Sequence, residues 1–187
     1  MAHSPVRSAG TPAAERRLRT IERDELARRP TEKAIFFAPR GSRVFERTDH
    51  DPRQVRLGPK DVERMCGLVM THNHPGGRSL SLDDVDLAVC ADLVEVRAVG
   101  MALGVAASGQ RVPVAHRLLR PPGGWPPIVD IAATYERHSE TVFGEFWARI
   151  DDGRLSRRLA NALHLHEVWI RVARALDLRY ERTPLDD

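Results

Sequence analysis

Apolar and polar positions change period several times along this chain, and each change predicts an element. From Pro12 to Arg29 the pattern supports a helix, which Pro30 ends. Glu32 opens a core-strand pattern that runs through Phe37. Ala38 to Ser42 reads as a turn and Arg43 to Arg47 as the return strand, giving a hairpin over residues 33–48. Pro59 to Met65 reads as a helix with proline in its first turn, ending near Gly67. Leu68 to Thr71 is a short apolar run of strand formers. Asp83 to Asp92 should be helical, with Val85, Leu87, Ala88 and Val89 partly buried. Val94 to Gly100 alternates as a strand does, and Met101 to Ala106 with Gln110 to Pro113 predict a further hairpin around Ser108 and Gly109.

The clearest break is Arg120-Pro121-Pro122-Gly123-Gly124-Trp125-Pro126-Pro127, which cannot continue a helix or a central strand. Beyond it lie two helical patterns, from about Ile128 to Ile150 and from about Arg154 to Leu176. The expected organisation is therefore a disordered start over residues 1–11, a domain over 12–119, a linker over 120–127 and a helical extension over 128–187. The fold class expected is α+β: a mixed sheet flanked by helices, with a C-terminal helical pair. That pair can pack on the sheet or serve partner binding or self-association.

Composition narrows the function classes. A chain of 187 residues that is 42% hydrophobic and 29% charged suits a soluble globular domain with one sizeable core. No apolar run reaches the roughly 18 residues a membrane span needs, and the N-terminus lacks an apolar signal core, so a cytoplasmic protein is expected. The net charge of +3 is carried by arginines mixed with acids along helices, which argues against a nucleic-acid stripe. Cys66 and Cys90 fall in apolar surroundings and read as buried reduced thiols.

Candidate chemistry concentrates in Thr71-His72-Asn73-His74-Pro75-Gly76-Gly77-Arg78-Ser79-Leu80-Ser81-Leu82-Asp83-Asp84. Residues i and i+2 of a strand share a face, so His72 and His74 can reach one ion. Pro75-Gly76-Gly77 reverses the chain. Ser81 is a helix N-cap, and Asp84 stands in the first turn three residues on. The loop can bring the Asp84 carboxylate beside both imidazoles, leaving a fourth coordination position open, as a catalytic zinc site requires. A second pair, His164 and His166, lies in a helical pattern, where i and i+2 diverge by about 200°. They cannot share an ion and read as surface or interface histidines.

The segment resembles the JAB/MPN domain, whose active members are the JAMM metallopeptidases. That family's His-x-His-Pro and Ser-x-x-Asp fall here on His72, His74, Pro75, Ser81 and Asp84. Nine residues separate His74 from Asp84, one fewer than in longer-loop members. The shorter loop is similar to a bacterial and phage-associated branch, and Asn73 to the RadC-type branch. The resemblance implies a cytidine-deaminase-like fold, one Zn2+ per chain on His72, His74 and Asp84, and hydrolysis of a peptide or isopeptide bond. It also implies an upstream glutamate acting as general base and then acid. Glu22, Glu25, Glu32 and Glu46 are candidates. Glu32 is favoured because it opens a core strand, whereas Glu22 and Glu25 lie in a charged helix and Glu46 reads as solvated. Ser81 can also donate to the developing oxyanion. The implied substrate is a protein or peptide, such as a ubiquitin-like tail or a phage or host protein. The alternatives are an inactive JAB-like binding module and a RadC-like factor in DNA work or phage assembly.

Overall fold

The computed structural model describes residues 11–103 and 111–185. Six strands form one mixed sheet in the order β2-β1-β3-β4-β5-β6, made of β1 (Ala34–Phe37), β2 (Arg43–Arg47), β3 (Val69–Asn73), β4 (Glu95–Leu103), β5 (Arg111–Leu119) and β6 (Arg179–Pro184). Among the described strands only β3 and β4 pair in parallel; α3 (Leu82–Cys90) connects them. The other helices are α1 (Pro12–Ile21), which continues into a π-helical turn over Glu22–Leu26, the short α2 (Pro59–Glu63), α4 (Ile128–Asp151) and α5 (Arg157–Ala175). The architecture is the α+β class expected, including the two C-terminal helices. No helix among the described residues is long and apolar enough to cross a membrane. The stretches 1–10 and 104–110 lie outside the described residues, so the disordered start and the Ser108-Gly109 turn do too.

Strand alternation sorts the sheet into two faces. Ile35, Phe37, Val69, Val99 and Ala115 pack against Leu18 and Leu26 from the N-terminal helical segment. Phe36, Met70, Val96, Ala98 and Leu118 turn the other way and share a core with Val85 of α3, Ile131 and Val142 of α4, and Trp169 and Val172 of α5. The C-terminal helices thus belong to the main core of the sheet. The Pro/Gly-rich segment before them is pinned by Trp125, whose indole N–H donates to the Leu93 carbonyl at 2.7 Å.

Three features differ from the sequence expectations. Cys66 and Cys90 are exposed, because Met65 and Ala88 take the inward positions beside them. Glu22 is fully buried rather than on a solvated helix face. The π-helical turn aims it at the sheet, where Arg97 Nε meets it at 2.6 Å and the Thr71 hydroxyl donates to it at 2.9 Å. The third is β6, which has no counterpart in the sequence pattern. Tyr180 and Arg182 on one face and Arg179 and Glu181 on the other give it no amphipathic alternation. It forms because β5 offers an edge of unpaired backbone groups, with registers from Val114 to Leu119 filled by Pro184 to Arg179.

Candidate metal centre

β3 delivers the two histidines. His72 stands opposite Ala34 of β1 and Ala98 of β4 on the face that holds the main core. The chain leaves the sheet at His74, whose N–H donates to the Val99 carbonyl at 2.8 Å. It turns at once, with Gly77 N–H donating to the His74 carbonyl at 2.8 Å. Gly77 has φ of 70° and lies so close to β4 that a Cβ there would sit 2.2 Å from the Met101 carbonyl oxygen. Gly100 accepts the loop from the other side: a Cβ on it would sit 2.5 Å from the His74 oxygen. These two glycines let the loop close onto the sheet.

The α3 N-terminus supplies the third donor. Ser81 Oγ accepts the Asp84 N–H at 3.1 Å, and Asp84 Oδ2 accepts the Ser81 N–H at 2.6 Å, a reciprocal capping box. The cap holds the Asp84 carboxylate with Oδ1 3.1 Å from His72 Nε2 and Oδ2 3.4 Å from His74 Nε2. The two Nε2 atoms are 2.9 Å apart, and the rings meet edge to face. These three side chains can hold a metal ion: their ligand atoms all lie within 4.8 Å of one another. His74 Nδ1 lies 3.2 and 3.1 Å from the carbonyl oxygens of Arg78 and Ser79. Carbonyls accept only, so the ring proton sits on Nδ1 and the Nε2 lone pair faces His72 and Asp84. Metal-binding histidines are oriented in this way by their outer partners.

The electrostatics fit a cation. Burial alone would raise the Asp84 pKa, but His72, His74 and the Ser81 N–H hold it well below the usual carboxylate range. Burial pulls the His72 pKa down, and the Asp84 carboxylate more than offsets it, so His72 ends above its ordinary value. Burial and the neighbouring His72 push His74 below its ordinary value. A metal bound there would compete with protons for these ring nitrogens.

Glu32 lies just before β1 in the same cavity, about 640 Å³ in volume, which His74, Ser81 and Asp84 also line. Burial raises its pKa, with Asp84 adding to the rise and His72 opposing it. Of the other upstream carboxylates, Glu22 is held by Arg97 beneath the sheet, while Glu25 and Glu46 pair with Lys33 and Arg43. Asn73, whose sequence signal is a resemblance alone, is what places Glu32. It is fully buried, accepts the Lys33 N–H at 2.8 Å, and donates to the Arg29 and Thr31 carbonyls at 3.3 and 3.1 Å. That clamp ties the backbone on both sides of Glu32 to β3.

A second polar group supports the loop from behind. The Tyr180 hydroxyl lies 2.8 Å from Ser79 Oγ, 2.8 Å from His116 Nδ1 and 2.9 Å from His166 Nδ1. His166 is half-buried and oriented by Tyr180, rather than at the surface; burial, then Arg182, lowers its pKa to about 4. His164 contacts the Ser139 carbonyl at 3.3 Å, so the two rings do not converge. No local periodicity in the sequence gives Tyr180 this role, because its partners come from β5, α5 and the metal-site loop. Tyr180→Phe should destabilise the fold by about 1–3 kcal/mol, because three polar groups lose one shared partner. A urea midpoint unchanged from wild type would show that the hydroxyl holds nothing in place.

No protein-family model, curated protein or solved structure matches this chain. What the site can do therefore rests on its own geometry: a His72, His74 and Asp84 cluster that could hold a metal ion, and a half-buried Glu32 carboxylate in the cavity that His74 and Asp84 line.

Proposed function

We propose that the chain is a zinc-dependent metallopeptidase of the JAMM type, hydrolysing a peptide or isopeptide bond. The observation that carries this reading is the Glu32 carboxylate. It shares a cavity with His74 and Asp84, whose ligand atoms cluster with that of His72, its pKa is raised, and no side-chain hydrogen bond or ion pair among the described residues engages it. A structural metal site has no use for such a group. A general base needs one whose pKa has moved toward neutrality.

Two imidazoles and one carboxylate are a donor set suited to zinc and leave a coordination position open. Zinc bound there would supply Lewis acidity toward water and the substrate carbonyl. His74 Nδ1, anchored on two carbonyls, keeps Nε2 free as a donor, and the Ser81 cap keeps Asp84 from rotating away. Glu32 takes a proton from the attacking water onto a carboxylate oxygen and returns it to the leaving nitrogen. Ser81 Oγ accepts the Asp84 N–H, so its own proton remains available to a substrate oxygen.

Glu32→Gln should lower hydrolysis of a fluorogenic peptide and isopeptide panel by about 10²–10⁴-fold while keeping wild-type zinc content. A zinc-loaded wild type that cleaves nothing in the panel would overturn the peptidase reading and leave a metal-bearing binding module.

A further inference from the structure

Next to the catalytic cavity runs a second groove, about 710 Å³ in volume, between α4 and α5. Its character differs from that of the site. Arg78, Arg111, Arg157 and Arg158 line it, and no Asp or Glu among the described residues does. All four arginines are exposed, and none makes an ion pair within the described residues. Phe146, Ile150, Ala160 and Leu165 provide an apolar floor. Phe143 and Trp147 stand on the rim, 60% and 47% exposed, with their rings stacked at 6.0 Å. Arg157 lies over the Trp147 ring at 5.7 Å. Large exposed aromatics beside arginines free of acidic partners are the composition of binding hot spots rather than of a solvated helix face.

The groove and the catalytic cavity share Gly76, Arg78 and Leu165, so one ligand can lie in both. The two ends differ in charge: among the described residues, carboxylates occur only at the cavity end. Glu32, Asp83 and Asp84 line the cavity together with Arg53 and Arg78, whereas the charged residues of the groove are all cationic. A nucleic acid carries negative charge at every step and would bring phosphates against Glu32 and Asp83 at the cavity end. A peptide can place acidic side chains in the groove and an uncharged backbone over the metal site.

We propose that the α4/α5 groove binds an acidic peptide segment bearing large apolar side chains, and so selects the protein substrate that reaches the site. Carboxylates of the segment pair with the four arginines. Its apolar side chains seat on Phe146 and Ile150 beneath the Phe143–Trp147 rim. The chain then passes Leu165 and Arg78 toward His74. The continuation into the site rests on the peptidase reading; binding in the groove does not.

The test is fluorescence anisotropy with the full-length protein and a fluorescein-labelled peptide of alternating acidic residues with Leu and Phe. Controls are the same peptide with Lys at every acidic position, and oligothymidylate. The acidic peptide should bind at least about tenfold more tightly than the Lys peptide, and more weakly as salt rises. Zinc-free protein should bind it equally well, which separates failure of this proposal from failure of the peptidase reading. Arg157→Glu with Arg158→Glu should weaken binding at least about tenfold. Both positions are exposed in the first turn of α5, where the helix dipole favours acidic residues, so the fold tolerates the change. Trp147→Ser should weaken it similarly. Equal affinity for the two peptides, no binding of either, or preferential binding of oligothymidylate would overturn the proposal. So would a dimer that shields Trp147 while the peptide fails to bind.

Discussion

His74→Ala is expected to leave a folded protein without bound zinc, where the wild type is expected to hold about one ion per chain. The alanine keeps His72 and Asp84 but removes the donor whose Nε2 lies 2.9 Å from one and 3.4 Å from the other. Two protein ligands do not make a zinc site. Loss of an outer partner alone typically lowers metal affinity by about 10–100-fold, and loss of a direct ligand should exceed that. The stability readout is independent of catalysis. Zinc at about 100 times its dissociation constant stabilises the native state by about 2.7 kcal/mol. For a chain of this length, that corresponds to a melting temperature about 5–10 °C higher. A chelator should therefore lower the wild-type melting temperature by that amount and leave His74→Ala unchanged. Elemental analysis that finds no zinc in folded wild type, or full zinc in His74→Ala, would remove the basis of the proposed chemistry.

Arg97→Met is expected to destabilise the protein by about 3–5 kcal/mol, more than the loss of the Tyr180 hydroxyl. Arg97 is 1% exposed. It pairs with Glu22 at 2.6 Å, Glu15 at 3.0 Å and Glu95 at 3.1 Å. Removing it strands Glu22 and Glu95 beneath β3 without that counter-charge. Burial already pushes both carboxyls above their ordinary pKa, with Arg97 opposing the rise. The sign with pH follows. In the variant the folded state binds more protons than the unfolded state, so its stability falls as pH rises from the ordinary carboxylate range through the raised folded values. Urea titrations at pH 5 and pH 8 would register both the loss and this slope. A loss below about 1 kcal/mol would mean that the network is solvated in practice and does not hold α1 to the sheet.

Both effects bear on the site from opposite sides of one strand. Thr71 faces the Glu22–Arg97 network and His72 faces the metal cluster, because successive residues of β3 alternate. The buried ion network beneath the sheet and the candidate metal cluster above it therefore both depend on the placement of β3.

The local chemistry is legible in the chain because it is local. His72 and His74 share a donor geometry through strand period, Gly77 makes the turn, and Ser81 caps the helix that carries Asp84. All these relations lie within fourteen consecutive residues. The helices around Val142 and Trp169 are legible too, because burying one face of a helix imprints a period of about 3.6. Glu32 ranks above other carboxylates from its place at a strand start. What brings it to the cavity is a long-range contact, the Asn73 clamp, which joins residues forty positions apart. The buried Glu22 is hidden because its partner Arg97 is remote in sequence, and a charged helical residue looks alike whether water or an arginine meets it. β6 is hidden because its strand character comes from pairing with the β5 edge and not from its own pattern. The arginine groove likewise exists only where α4, α5 and the metal-site loop converge. Donors, turn and helix cap could thus be read from the chain alone. The approach of Glu32 to the metal-binding candidates, its Asn73 support and the second groove emerge only on packing, because they depend on contacts between segments that no local period records.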